Sequence, residues 1–285
     1  MQQLDIFADS ESVQRANDLI GALESLDRVA ARQAMRDLVA ADAHHEGLPR
    51  FQVLCDFVDR CGQHGFPQTM EAIVAEEQLI REHIVPASVV MGPAGNSLIK
   101  KCWDALANKS ESASVSFENQ NCFAAELYLR AQQFNDVVRT AREIPGVDLC
   151  AAAQRWLALG YKAEQARDPV LRFAWLSPER FDGLVDEMRD VELARNWDKF
   201  QTDLDDLDAT WFPAWYALEK KPGIAILDNL PDSDGSRVYQ LVMSLVSREC
   251  SGVHCKDDRA RLKNLNESFF AFYLAHQAKL HPRKN

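Results

Sequence analysis

The chain has 285 residues, of which 47% are apolar and 26% charged, and it carries a net charge of -11 at neutral pH. These are the proportions of a folded globular protein long enough for one or two domains with a real core, which excludes global disorder. An acidic chain with no Lys/Arg stripe interleaved with aromatics is not expected to bind nucleic acid, and with no run near the about 18 apolar residues that a bilayer span needs it is not expected to enter a membrane.

Helix signals follow in pairs. Residues 9–12 offer caps for a helix through residue 23, and Asp27 precedes a second with Ala31, Met35, Leu38 and Val39 on one face. Pro49 opens a third helix to Cys61, carrying Phe51, Leu54, Cys55 and Val58 at i, i+3, i+4, i+7, the spacing of one apolar helix stripe. Gly62 and Gly65 break it, and Pro67 opens another that reaches about residue 82. Pro86, Gly92, Pro93 and Gly95 then interrupt the pattern, before Asn96 or Ser97 caps a helix with Leu98, Ile99, Cys102, Trp103 and Leu106. A polar passage, 108–116, reads as a linker or loop.

From Asn119 a helix runs to Ala131, and Phe134 opens its partner with Val137, Val138 and Ala141 on the same stencil. Ile144, Pro145 and Gly146 stop it; helices are expected over 147–159, 162–175, at the stencil Phe181, Leu184, Val185, Met188, and over the acidic stretch 191–206. Pro213, Pro222 and Pro231 restart short elements, residues 232–235 form a turn, the stencil Val238, Leu241, Val242, Leu245 marks another helix, and the last runs over 257–280. Strand signals at 114–117 and 224–227 are too brief to found a sheet. The expectation is an all-α array of antiparallel helical hairpins, an α-solenoid in two lobes: N-terminal hairpins over 1–108, a linker over 109–118 and a C-terminal array over 119–285.

The segment around Ala125, Tyr128 and Phe134 resembles the turn of a tetratricopeptide-type hairpin, in which a small residue and an aromatic lie one turn apart and a second aromatic opens the next helix. Ala153, Trp156 and Gly160 repeat the small, aromatic and glycine positions, with 28 residues from Tyr128 to Trp156 against about 34 in that family, so the repeat is a degenerate one. The resemblance covers about residues 119–175 and implies a curved stack whose groove holds a protein or peptide partner; it carries over no binding residues.

Sites for chemistry are weakly signalled. The Gly92 to Ser97 run precedes a helix as a phosphate loop would, yet lacks the Gly-Lys-Ser/Thr that places a lysine on phosphate, and reads as a cap. Cys250, His254 and Cys255 are three possible ligands within six residues, short of the four a structural zinc takes. Asp232, Ser233, Asp234 and Gly235 lack the first and twelfth ligands of a calcium loop. Acid pairs such as Glu76–Glu77 and Asp205–Asp206 point about 100° apart on a helix and are expected to face water. No catalytic residue, cofactor or metal is assigned. Seven scattered cysteines, and an N-terminal stretch with no basic residue among its first ten, suit a cytoplasmic protein with reduced thiols.

The densest unusual composition is Trp211, Phe212, Trp215 and Tyr216, four aromatics in six residues, beside Asp203, Asp205 and Asp206. They either wedge a short hairpin into the core or form an anchor for a partner. Residues 182–208 hold ten acids against three bases, and 254–285 seven bases against three acids. These are solvated helix faces, or an acidic strip for a basic partner, including the tail of a second copy in a homo-oligomer that weakens with salt. The expected role is a non-enzymatic, cytoplasmic helical-repeat protein that binds a protein or peptide partner. The alternatives are an enzyme with its site in a groove between lobes and a purely structural homodimer.

Overall fold

The computed structural model describes residues 6–113, 120–161, 165–220, 227–250 and 255–280. Every regular element among them is helical, and the chain divides into two compact units, Met1–Val137 and Val138–Asn285, with the division inside one helix.

The first unit holds α1 (Ile6–Glu24), α2 (Arg28–Ala41), α3 (Leu48–His64), α4 (Met70–Leu79), α5 (Val85–Ser88), α6 (Pro93–Ser112), α7 (Ala124–Ala131) and the start of α8 (Phe134–Arg142). Asp27 caps α2 by accepting from the amides of Val29 and Ala30, each at 3.0 Å, which satisfies two of the four donors a helix start leaves open. Pro49 sits in the first turn of α3, where its missing N–H is no loss, and Gly65 at φ +68° ends it. Helices α1 on α2, α2 on α3 and α6 on α7 bury Leu19, Leu23, Leu38, Phe51, Leu54, Leu98, Leu106 and Leu127.

Several expectations for this unit are corrected. Gly62 does not break α3: it lies within the helix with the Arg28 side chain beside it, and only the left-handed Gly65 stops the chain. Pro86 does not interrupt the helical path, because a π-turn over Ile80–Ile84 widens the backbone just before it and so absorbs the hydrogen bond that proline cannot make. Glu76 and Glu77 do not face water: both are buried, Glu76 held by Arg60 through two bonds of 2.7 and 2.8 Å, Glu77 by Arg130 at 2.6 Å and Arg81 at 3.3 Å. Buried carboxylates persist when they are paired in this way.

The polar passage around 109–118 begins as helix. α6 continues to Ser112, with the Ser112 hydroxyl donating to the Asn108 carbonyl at 2.9 Å and the Asn108 amide donating to the Asp104 carbonyl at 2.8 Å. Side chains that bond back to the previous turn let a polar sequence stay helical. Its remainder, 114–119, and the strand signals at 114–117 and 224–226 lie outside the described residues. α6 also starts earlier than expected, at Pro93, whose missing N–H is no loss in a first turn, with Gly92 at φ +57° before it; inside it Gly95 passes against the carbonyl of Ser88, where a Cβ would collide.

The second unit holds the rest of α8, then α9 (Ala151–Gly160), α10 (Arg167–Leu176), α11 (Phe181–Met188), α12 (Val191–Asp203), α13 (Phe212–Lys220), α14 (Asp234–Cys250), α15 (Lys256–Leu265) and α16 (Glu267–Leu280). The expected single last helix is two, because Asn266 leaves the helical conformation and its side chain accepts from the Phe269 amide at 2.8 Å, capping α16. α9 packs on α10, α13 on α14, and α14 on α15. Arg172, buried in α10, donates to the carbonyls of Asp228 and Asn229 at 2.7 and 3.2 Å and so ties down the segment before α14.

Candidate functional site

The aromatic segment lies at the centre of the second unit. Phe212 and Trp215 have 0% exposure, so neither offers surface to a partner; this corrects their reading as anchors. The reason is packing: Phe212 lies 5.2 Å from Phe181, 5.5 Å from Trp197 and 5.7 Å from Phe200 between ring centroids, and Trp215 lies 5.9 Å from Phe200. The last three pairs are edge-to-face, an arrangement that adds to what burial alone contributes. Trp211, half-buried, packs 5.9 Å from Phe269, and Tyr216, also half-buried, 5.6 Å from Phe212.

The acids divide by role. Asp203 accepts from the Trp215 indole at 3.1 Å, and Asp182 accepts from the Trp197 indole. Asp190 caps α12 by accepting from the amides of Glu192 and Leu193 at 2.8 and 3.0 Å. Glu187 pairs with Arg155, and Glu192 with Lys220 at 2.6 Å. Asp186, Asp198, Asp205 and Asp206 stand exposed.

Above Phe212 lies a cavity of about 120 Å³ that the sequence did not reveal. The start of α10 gives it Arg167, Val170 and Leu171; the end of α11 gives Met188; α12 with its cap gives Asp190, Glu192, Leu193 and Asn196; α13 gives Phe212 and Tyr216. Asn196 is 9% exposed, and its Nδ2 has no hydrogen-bond partner among the described residues. A buried donor left unmade costs about 1–3 kcal/mol; this nitrogen is closed off from any water-sized space, so it is the Asn196 residue and not its unmade N–H that lines the cavity. A signal for it does exist in the sequence: Leu193, Asn196, Trp197 and Phe200 fall at i, i+3, i+4, i+7, the apolar stencil with an amide at its second position.

The other sequence candidates resolve differently. Residues 232–235 lead into α14, where Ser233 and Ser236 exchange capping bonds of 3.2 and 3.3 Å. His254 and the Cys250 side chain lie outside the described residues, and among the described residues no group of three His, Cys, Asp or Glu is placed to hold a metal. No described helix is long and apolar enough to cross a membrane. Comparison with protein-family models, with curated proteins and with solved structures gave no match for the chain.

Proposed function

We propose that the chain is a non-enzymatic helical-array protein that binds a segment of a protein partner at the α10–α13 cavity of its second unit. The observation that carries this reading is the cavity itself, where the packing of α10 to α13 brings apolar Val170, Met188 and Leu193 together with the acids Asp190 and Glu192. Asp190 and Glu192 at the same cavity, with Asp186 and Asp198 exposed nearby in sequence, favour a basic segment over an acidic one. In this reading the helices form antiparallel hairpins, tetratricopeptide-like around Tyr128 and Trp156. The buried Ala125 and Tyr128 of α7, followed by the left-handed Gln132 that turns the chain into α8, support that resemblance. Thiols outside any disulfide at Cys55, Cys61, Cys102 and Cys150 support a cytoplasmic setting.

The test is fluorescence anisotropy of the full chain with a labelled lysine-rich peptide, Lys-Lys-Gln-Lys-Lys, against its glutamate analogue. The basic peptide is expected to bind and to weaken several-fold between about 50 and 200 mM salt, as partly exposed charge pairs do. Equal binding of both peptides, or of neither, contradicts the proposal.

A further inference from the structure

Resting on that reading, we infer that Lys220 is a built-in competitor for the basic partner: its ammonium holds the Glu192 carboxylate at the cavity, and the partner's cation must take its place. The charged lining of the cavity is Arg167, Asp190 and Glu192, one base against two acids, set beside Met188, Leu193 and Tyr216. The two acids are not equally available. Asp190 is committed to the start of α12, where its Oδ1 accepts from two backbone amides. The Glu192 side chain is 69% exposed and accepts from Lys220 Nζ at 2.6 Å, across 28 residues of chain. It is therefore the acid that an incoming cation reaches first, and it is already taken. Lys220 closes α13 one turn after Tyr216, so the pair joins two of the helices that supply the cavity.

This pair is suited to exchange. Both side chains meet water, Lys220 at 36% exposure, and an exposed ion pair between two long side chains contributes little to stability. Among the described residues the Lys220 ammonium has no other bond. Lys199, which also joins α12 to α13, pairs with Glu219 and in addition lies over the Trp215 ring at 5.6 Å. Lys199 thus braces the two helices, while Lys220 can leave at small cost. A partner's lysine at Glu192 gains only the difference between its own pairing and the one it displaces. Lys220 therefore lowers the affinity for basic segments and raises the charge that they must carry to bind.

The test titrates the labelled Lys-Lys-Gln-Lys-Lys peptide onto the full chain as wild type, Lys220→Met, Glu192→Gln and the double variant, at about 50 mM salt so that screening is weak. Lys220→Met keeps most of the stem and removes the charge. It is expected to bind the peptide about threefold more tightly than wild type, the scale of one exposed ion pair. Glu192→Gln is expected to bind more weakly than wild type, and the double variant no more tightly than Glu192→Gln, because the gain requires the carboxylate that Lys220 releases. Melting temperatures are expected to stay within about 3 °C of wild type. If the peptide binds wild type and Lys220→Met alike, or Lys220→Met more weakly, the inference falls and the partner-binding reading stands; if it binds none of the four, both fall. An equal gain from Lys220→Met with and without the Glu192 carboxylate reflects the lost charge alone and overturns the inference. A melting temperature of Lys220→Met that drops well beyond that range overturns it too, since the pair is then a brace between α12 and α13.

Discussion

The indole nitrogen of Trp215 donates to Asp203 across 3.1 Å, joining a fully buried aromatic of the second unit to an acid that a reading of charge alone assigns to a partner. Asp182 does the same for Trp197. Tryptophan brings a polar N–H into the core with its ring, and an acid at the rim satisfies it. Part of the acidic composition of residues 182–208 is thus structural.

Trp215→Ala is expected to cost about 3–5 kcal/mol, as deletion of a large buried ring does, and Asp203→Ala about 1–2 kcal/mol by leaving the indole unpaired. Trp211→Ala, half-buried at the edge of the cluster, costs less than Trp215→Ala. Urea unfolding of the three variants gives the order; a Trp215→Ala protein as stable as wild type contradicts the packing described.

Arg130 lies between Glu77 and Glu126 and over the Trp103 ring at 5.1 Å. Arg130→Met leaves the buried Glu77 with Arg81 alone and is expected to lose about 3 kcal/mol. Arg130→Met with Glu77→Leu recovers most of that loss, since the expense lies in the uncompensated charge. Urea titration of the single and double variants checks the recovery.

Three glycines separate close approach from mere flexibility. A Cβ at Gly95 would meet the Ser88 carbonyl and one at Gly235 the Thr210 carbonyl, so Gly95→Ala and Gly235→Ala are each expected to destabilise by about 1–3 kcal/mol. Gly183, within α11 with nothing near its Cβ position, is the opposite case: Gly183→Ala is expected to stabilise by about 0.5–1 kcal/mol. Thermal melts of the three variants should show the two signs.

Burial pushes the Cys55 and Cys61 thiols up to about 11, helped by Asp56 and Glu76 respectively, and the Tyr239 hydroxyl up to about 12. Each folded value lies above the unfolded one, about 8.5 for a thiol and about 10 for tyrosine. The folded state therefore holds its protons longer. Its stability is complete below the unfolded values and is lost as pH rises through the interval to the folded ones. Melting temperatures are expected to be level from about pH 7 to 8 and to fall steadily between about pH 9 and 12. A melting temperature that holds level to about pH 11 contradicts the burial of these groups.

The helices were legible where an apolar stripe meets a cap or a stop. Phe51, Leu54, Cys55 and Val58 are all buried, as are Phe181, Leu184 and Val185, and Asp27 caps the helix it precedes. Phe134, on an equally good stripe, is 48% exposed, because the pattern says which face is apolar and not how far a neighbour covers it. The boundaries that went unseen were set by contacts far along the chain or by side chains folding back on their own helix. Gly95 answers to Ser88, and Asn108 and Ser112 bond to the turn before them. The aromatic cluster was found and the cavity beside it was not, since Ala166, Met188, Asn196 and Tyr216 come together only through the packing of four helices. Asn196 was visible as an amide on an apolar stripe, but its lack of a partner is a property of three dimensions.

The most direct measurement is a two-dimensional 1H–15N and methyl NMR titration of the full chain with the Lys-Lys-Gln-Lys-Lys peptide. The side-chain amide pair of Asn196, the Met188 methyl and the Leu193 and Val170 methyls are expected to shift together with one saturating curve. An Asn196 amide pair that stays fixed while the peptide saturates other signals, or a spectrum that does not change at all, contradicts it.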